Sequence, residues 1–122
     1  MNILVVDDSA FMRKVITDIV EKQNDLRVTD TARNGKQAIE LIEQNNYDLV
    51  LMDIEMPTMN GLEALKIIRR TNDVPVIILS ALSKKENTIE ALATGATDFI
   101  EKPNNLMSLE NEWLEEFLTK VR

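Results

Sequence analysis

Asp7 and Asp8 follow the apolar run Ile3-Leu4-Val5-Val6, Asp53 follows Leu49-Val50-Leu51-Met52, and Lys102 stands just after Phe99-Ile100. A strand buried on both faces gains nothing from ionisable groups, so charges gathered at strand exits point to a site assembled where strands stop. Three carboxylates brought close together raise one another's pKa unless a cation neutralises the cluster. Oxygen ligands without histidine or cysteine favour magnesium or calcium, and one or two carboxylates joined by waters and a substrate phosphate form the usual magnesium arrangement. The simpler reading is that these acids cap the helices that follow, where negative side chains favour the positive end of the helix dipole. Two adjacent Asp plus a third at a neighbouring strand exit argue instead for a functional site.

Composition removes whole classes of chemistry. There is no histidine and no cysteine, which excludes Ser-His-Asp catalysis, histidine bases, histidine metal sites, disulfides and thiolate nucleophiles. A formal net charge of −7 argues against nonspecific binding to nucleic acid or to anionic membranes, both of which need basic surface. At 122 residues the chain reads as one domain, 1–122, large enough for a core and too small for two. No apolar run approaches the roughly 20 residues needed to span a bilayer. The first residues enter a strand with no charged leader or cleavable apolar region, so the expectation is a soluble, cytoplasmic, monomeric protein.

The elements that must position the charges alternate. Apolar strand-like runs occur at about 2–7, 26–31, 48–53, 75–80 and 97–101, with helical periodicity between them. Phe11, Met12, Val15, Ile16, Ile19 and Val20 follow one helix face, with Asp8 or Ser9 as N-cap. A second helix spans about 35–45 after Asn34-Gly35, and a third is entered through Asn60 with Glu63 three residues on, as in a capping box. Ser83 and Glu86 form a capping box for a fourth helix, which Gly95 can end in a left-handed conformation. Leu106, Leu109, Trp113, Phe117 and Val121 mark the stripe of a fifth. Its acidic residues Glu110, Glu112, Glu115 and Glu116 read as a solvated face, with a face for a partner as the alternative. Five strand–helix units imply an α/β fold: an open, doubly wound parallel sheet of order 2-1-3-4-5, too short for an eight-stranded barrel. In that order the first and third strands are neighbours and ligands sit beyond their C-terminal ends, which brings Asp7, Asp8 and Asp53 together.

These residues resemble a known family. Asp7-Asp8, Asp53 within Asp-Ile-Glu-Met-Pro, Gly61, Ser80-Ala81 and Lys102-Pro103 are similar in order and spacing to the response-regulator receiver domain of two-component signalling, and the resemblance covers the whole chain. It implies a flavodoxin-like fold and a phosphorylation switch. The residue matching Asp53 accepts a phosphoryl group from a histidine kinase; those matching Asp7, Asp8 and Asp53, with the backbone carbonyl of Glu55, hold Mg2+. Ser80 and Lys102 would stabilise the phosphoryl oxygens, and Phe99 would be the aromatic that turns inward when Ser80 moves. The surface of the fourth helix, fifth strand and fifth helix would then change. Physical chemistry supports these roles, because a carboxylate attacking an anionic phosphoryl group needs charge neutralisation and in-line positioning. Pro57 and Gly61 are expected to shape the loop after Asp53, Pro by its fixed φ and Gly by permitting positive φ. Lys102-Pro103 is a place where the family commonly has a cis bond.

Asp8-Ser9-Ala10-Phe11-Met12-Arg13, Gly61-Leu62-Glu63-Ala64-Leu65 and Gly95-Ala96-Thr97-Asp98-Phe99 further resemble the regulatory domain of chemotaxis protein-glutamate methylesterases. The resemblance implies an output in an esterase domain absent from these residues, since Gly-x-Ser-x-Gly and histidine are both missing. The chain itself would not be an enzyme beyond assisting its own phosphorylation and dephosphorylation. The alternative is a free-standing chemotaxis-type receiver acting on a separate target protein. An aspartate-nucleophile phosphohydrolase is more remote, because Asp53 lies on the third strand, Glu and Pro follow it, and no substrate-selecting cap is present. A flavin carrier of the same topology is disfavoured because Asp7-Asp8 would repel its phosphate.

Overall fold

The computed structural model describes residues 1–56, 59–80, 85–102 and 110–121. Its strands are β1 (Asn2–Val6), β2 (Arg27–Ala32), β3 (Leu49–Asp53), β4 (Val76–Ser80) and β5 (Asp98–Glu101). They alternate with helices α1 (Ala10–Val20), α2 (Gly35–Gln44), α3 (Gly61–Ile68), α4 (Lys85–Thr94) and α5 (Glu110–Val121). All strand pairs are parallel, in the order β2-β1-β3-β4-β5, so the expected doubly wound α/β fold is the one formed.

Strand periodicity divides the core. Leu4, Val6, Val50, Met52, Val76 and Ile78 point to the side covered by α2, α3 and α4, where Ala38, Ile42, Ala64, Leu65, Ile68 and Ala91 meet them. Ile3, Val5, Leu49, Leu51, Ile77 and Leu79 point the other way, onto Ile16, Ile19 and Val20 of α1 and Trp113, Leu114 and Phe117 of α5. The central strands β1, β3 and β4 are therefore apolar between their polar ends Asn2, Asp53 and Ser80, each buried apolar side chain contributing about 1.5–3 kcal/mol, while the edges β2 and β5 keep exposed positions along their length.

Helix starts follow local chemistry. Ser9, not Asp8, caps α1, accepting from the Met12 N–H at 3.2 Å; Asn34 accepts from Gln37 N–H at 2.8 Å and Asn60 from Glu63 N–H at 2.9 Å. Asn60→Ala is expected to cost about 1 kcal/mol, read as a lowered urea midpoint with unchanged slope. An unchanged midpoint would mean that the Asn60 bond adds nothing to α3. Gly95 has φ +126°, and its N–H and that of Ala96 satisfy the last carbonyls of α4, as expected. The Ser83–Glu86 box, Pro57, Leu106, Leu109 and the Lys102-Pro103 bond lie outside the described residues or their described side chains.

Three expectations are corrected. Phe11 does not join the core: it is 62% exposed, because the helix turns it away from the line through Ile16 and Ile19. The second strand begins at Arg27 rather than at 26, since Leu26 turns into the core as the preceding loop closes. Gly61 does not use positive φ, which among the described glycines belongs to Gly95 alone. Its role is close approach: a Cβ there would lie 2.5 Å from the Asp53 carbonyl oxygen and 2.8 Å from Ile54 Cα.

Candidate functional site

Register places the charged groups in a row. Val6 pairs with Met52 and Asp53 with Leu79, so Asp7 and Asp53 leave adjacent strands at the same level. Ser80 pairs with Glu101, which puts Ser80 and Lys102 at the next two strand ends. β1, β3, β4 and β5 thus deliver Asp7, Asp53, Ser80 and Lys102 to one rim of the sheet.

The two buried carboxylates are held alike. Asp7 Oδ1 accepts from the Ser9 N–H at 2.9 Å, and Asp53 Oδ1 accepts from the Glu55 N–H at 3.0 Å. Each therefore closes a turn two residues on, and neither serves as a helix cap, which removes the simpler capping explanation. The remaining oxygens face the rim. Lys102 Nζ donates to Asp53 Oδ2 at 2.7 Å and stands 3.8 Å from Asp7 Oδ2. Asp7 Oδ2 is itself buried and has no hydrogen-bond partner among the described residues.

A fully buried carboxylate oxygen without a donor is costly. Asp7 shows the cost: burial raises its pKa to about 6, the Ser9 N–H opposes that, and the Asp53 charge adds to it. Burial likewise raises Asp53 despite the Lys102 and Glu55 hydrogen bonds. For Lys102 burial works against the charge, but the hydrogen bond and charge of Asp53, with Asp7 and Asp8, outweigh it and raise its pKa. Asp8 is exposed beside the pair, and one oxygen each from Asp7, Asp8 and Asp53 lies within 4.8 Å of the others. The donor set is all oxygen, over-charged by one lysine against three carboxylates, and contains an unpartnered buried oxygen: it fits a hard divalent cation.

The other expected site residues are distributed as follows. Ser80 is buried at the end of β4, where its carbonyl accepts the Lys102 N–H at 2.9 Å. Glu55 is exposed immediately after Ile54. Phe99 is not a core residue; it is 38% exposed on β5, its ring lying 5.0 Å beneath Lys120 Nζ, which also bonds Asp98 at 3.2 Å. Two contributors went unread in the sequence. Arg13 Nη1, in the first turn of α1, donates back to the Asp7 carbonyl six residues earlier at 2.7 Å, and the Trp113 indole N–H donates to the Glu101 carbonyl at 2.6 Å. A cation in the first helical turn after an acidic pair was a signal for the first; a tryptophan on an apolar stripe gives none for the second.

Five parallel strands carry acids at two adjacent exits and a lysine that reaches back to them, and the response regulator receiver domain profile matches residues 3–113. The chain belongs to the receiver domain family of two-component signalling. Within it, the chain is similar to the receiver part of protein-glutamate methylesterases. It is 46% identical to the protein-glutamate methylesterase/protein-glutamine glutaminase of Pyrococcus abyssi, over all of this chain and 34% of that protein. The solved response regulator domain of Thermotoga maritima CheB superposes with a TM-score of 0.89 at 43% identity, covering 100% of this chain and 93% of that one. The Thermotoga maritima response regulator TrrA, solved in complex with Mg2+-BeF, has a TM-score of 0.77 at 33% identity, with 99% and 98% covered. The chain spans about a third of the length of the curated relatives it matches. It corresponds to their receiver part and not to an esterase.

Proposed function

We propose that residues 1–122 form a phosphorylation switch in which Asp53 accepts a phosphoryl group from a histidine kinase. The observation that carries this reading is the pairing of a buried, hydrogen-bonded Asp53 with Lys102 at 2.7 Å, beside the unpartnered buried oxygen of Asp7. Asp7, Asp8 and Asp53, with the Glu55 backbone carbonyl, would hold Mg2+; when bound, that ion supplies charge neutralisation for an anionic phosphoryl group. The Glu55 N–H fixes one Asp53 oxygen, leaving Oδ2 to attack phosphorus. The phosphorus–nitrogen bond of a phosphohistidine breaks as the acyl phosphate forms, and the imidazole takes a proton. Lys102 then follows the charge from the carboxylate to a phosphoryl oxygen, and the Ser80 hydroxyl donates to another. Withdrawal of Ser80 toward the phosphoryl group opens space beside Phe99, whose outward ring can then turn in and change the face of α4, β5 and α5.

In this reading the output is a chemotaxis methylesterase domain, by likeness to the curated relatives, and the domain acts as a cytoplasmic monomer without direct contact with nucleic acid or membrane. Among the described residues no helix is long and apolar enough to cross a bilayer. The test is intact mass after incubation with acetyl phosphate, with and without Mg2+. Wild type is expected to gain one labile phosphoryl group only with Mg2+, and Asp53→Ala none. A folded wild type that gains nothing would sink the proposal, as would an Asp53→Ala variant that still gains it.

A further inference from the structure

We infer that Trp113 is a positioning residue for Lys102, and that the Glu101–Lys102 peptide is the physical link between the carboxylate site and α5; the inference rests on the phosphoacceptor reading. The Glu101 carbonyl and the Lys102 N–H belong to one planar peptide unit. That unit is gripped from both sides. Its N–H donates to the Ser80 carbonyl at 2.9 Å, and its carbonyl accepts from the Trp113 indole at 2.6 Å. Among the described residues β5 is an edge strand paired only with β4, so the Glu101 carbonyl, on the side away from β4, has no strand there to receive it. Trp113 takes the place of the missing neighbour at that one point.

The indole is itself fixed. Its ring stacks on Phe117, with centroids 5.3 Å apart and planes 7° from parallel, and Phe117 is fully buried against the sheet. Lys102 Cα lies in the gripped peptide plane, and from it the side chain crosses the end of β4 to reach Asp53 at 2.7 Å. A displacement of α5 along its axis moves the indole, tilts the peptide and shifts the root of Lys102. By reciprocity, a change in what Lys102 holds is felt at Trp113. The core role that an apolar helix stripe implies would be served by phenylalanine. The N–H aimed at the peptide carbonyl is what tryptophan adds.

The test uses the chain's single tryptophan and a mutant cycle. Phosphoryl gain from acetyl phosphate at fixed Mg2+ is timed in wild type, Trp113→Phe, Lys102→Met and the double variant. Trp113→Phe is expected to slow the gain about three- to tenfold, the value of one hydrogen bond, and to have no further effect once Lys102 is Met. Leu114→Ala removes core packing from the same helix without touching the Trp113–Phe117 stack, so it should lower stability without slowing the gain. An effect of Trp113→Phe that persists unchanged in Lys102→Met, or matches that of Leu114→Ala, would show a merely structural role and overturn the inference.

An arm independent of phosphorylation follows tryptophan emission during Mg2+ titration, with binding measured separately by calorimetry. Emission should change in wild type and stay constant in Lys102→Met that still binds Mg2+. Constant emission in Mg2+-saturated wild type overturns the link even if phosphoryl transfer proceeds. Loss of both phosphoryl gain and Mg2+ binding in folded wild type overturns the phosphoacceptor reading, and this inference with it.

Discussion

Asp7→Asn is expected to make the metal-free protein more stable at pH 7, by about 2–3 kcal/mol, while weakening Mg2+ binding at least about tenfold. The two effects have one cause. Folding the metal-free chain places an ionised carboxylate where one oxygen has no donor and the Asp53 charge is close. Its pKa rises from 3.8 to about 6, so the folded state binds a proton that the unfolded state releases. Stability of the wild type without metal should therefore fall as pH rises from about 4 to about 6 and then level off, because the unfolded chain holds fewer protons in that window.

An asparagine keeps the acceptor for the Ser9 N–H and presents a donor toward Asp53 in place of the unpartnered oxygen. Its pH profile should be flatter across the same window. Lys102 loses only a partner at 3.8 Å and keeps its bond to Asp53. With Mg2+ present the ordering reverses: the wild type gains stability from the ion, and its affinity for the ion declines below about pH 6 as Asp7 takes up a proton. Urea titrations of both proteins between pH 4 and pH 8, with and without Mg2+, read all of this. An Asp7→Asn protein less stable than the metal-free wild type at pH 7 would show that the Asp7 charge is compensated in a way the geometry does not provide.

Gly61→Ala is expected to destabilise the fold by about 3 kcal/mol, the upper end of overpacking costs, and to slow phosphoryl gain at Asp53 about a hundredfold. A methyl at this position would meet Asp53 O at 2.5 Å and Ile54 Cα at 2.8 Å. Both are main-chain atoms, so no rotamer change relieves the clash. Either α3 moves off, breaking the Gly61 N–H to Ile54 carbonyl bond of 2.9 Å, or the Asp53–Ile54 backbone is pushed along the sheet. The second route displaces the acceptor carboxylate from Lys102. A shift of about an ångström is enough for the rate loss. Urea unfolding and timed intact mass together separate the two routes: loss of stability alone indicates that α3 moved, and loss of both that Asp53 did. Wild-type behaviour in both would mean that the close approach is not a constraint.

Most of the architecture was legible because its signals are local. Short β-branched runs alternating with helical stripes can be satisfied only by a parallel sheet covered on both faces, and the N-caps Ser9, Asn34 and Asn60 announce their helices from side-chain chemistry within three residues. Phe11 was misread because it was counted with the stripe of Ile16, Ile19 and Val20, although at about 100° per residue it lies well round the helix from them. Gly61 was misread because the sequence shows a need for no side chain, and close approach and positive φ demand that equally. The exposed ring of Phe99 under Lys120, and the bond of Arg13 to the Asp7 carbonyl, join residues whose partners are set by packing angles that no local pattern encodes.

The sequence by itself determined the class of site. Acids at the exits of two neighbouring strands, a hydroxyl at a third and a lysine at a fourth, with no histidine or cysteine, specify oxygen-ligand chemistry suited to a hard cation, and their resemblance to the receiver family is what implies phosphoryl transfer. Tertiary structure decided which oxygens are free to act. Burial leaves Asp7 Oδ2 without a donor and commits Asp53 Oδ2 to Lys102. It also turns Trp113 from one member of an apolar stripe into the group that grips the peptide bearing Lys102. The reason is physical: residue type sets the chemistry a group can perform, whereas desolvation and hydrogen-bond partnership exist only once the strand ends and α5 have been brought together.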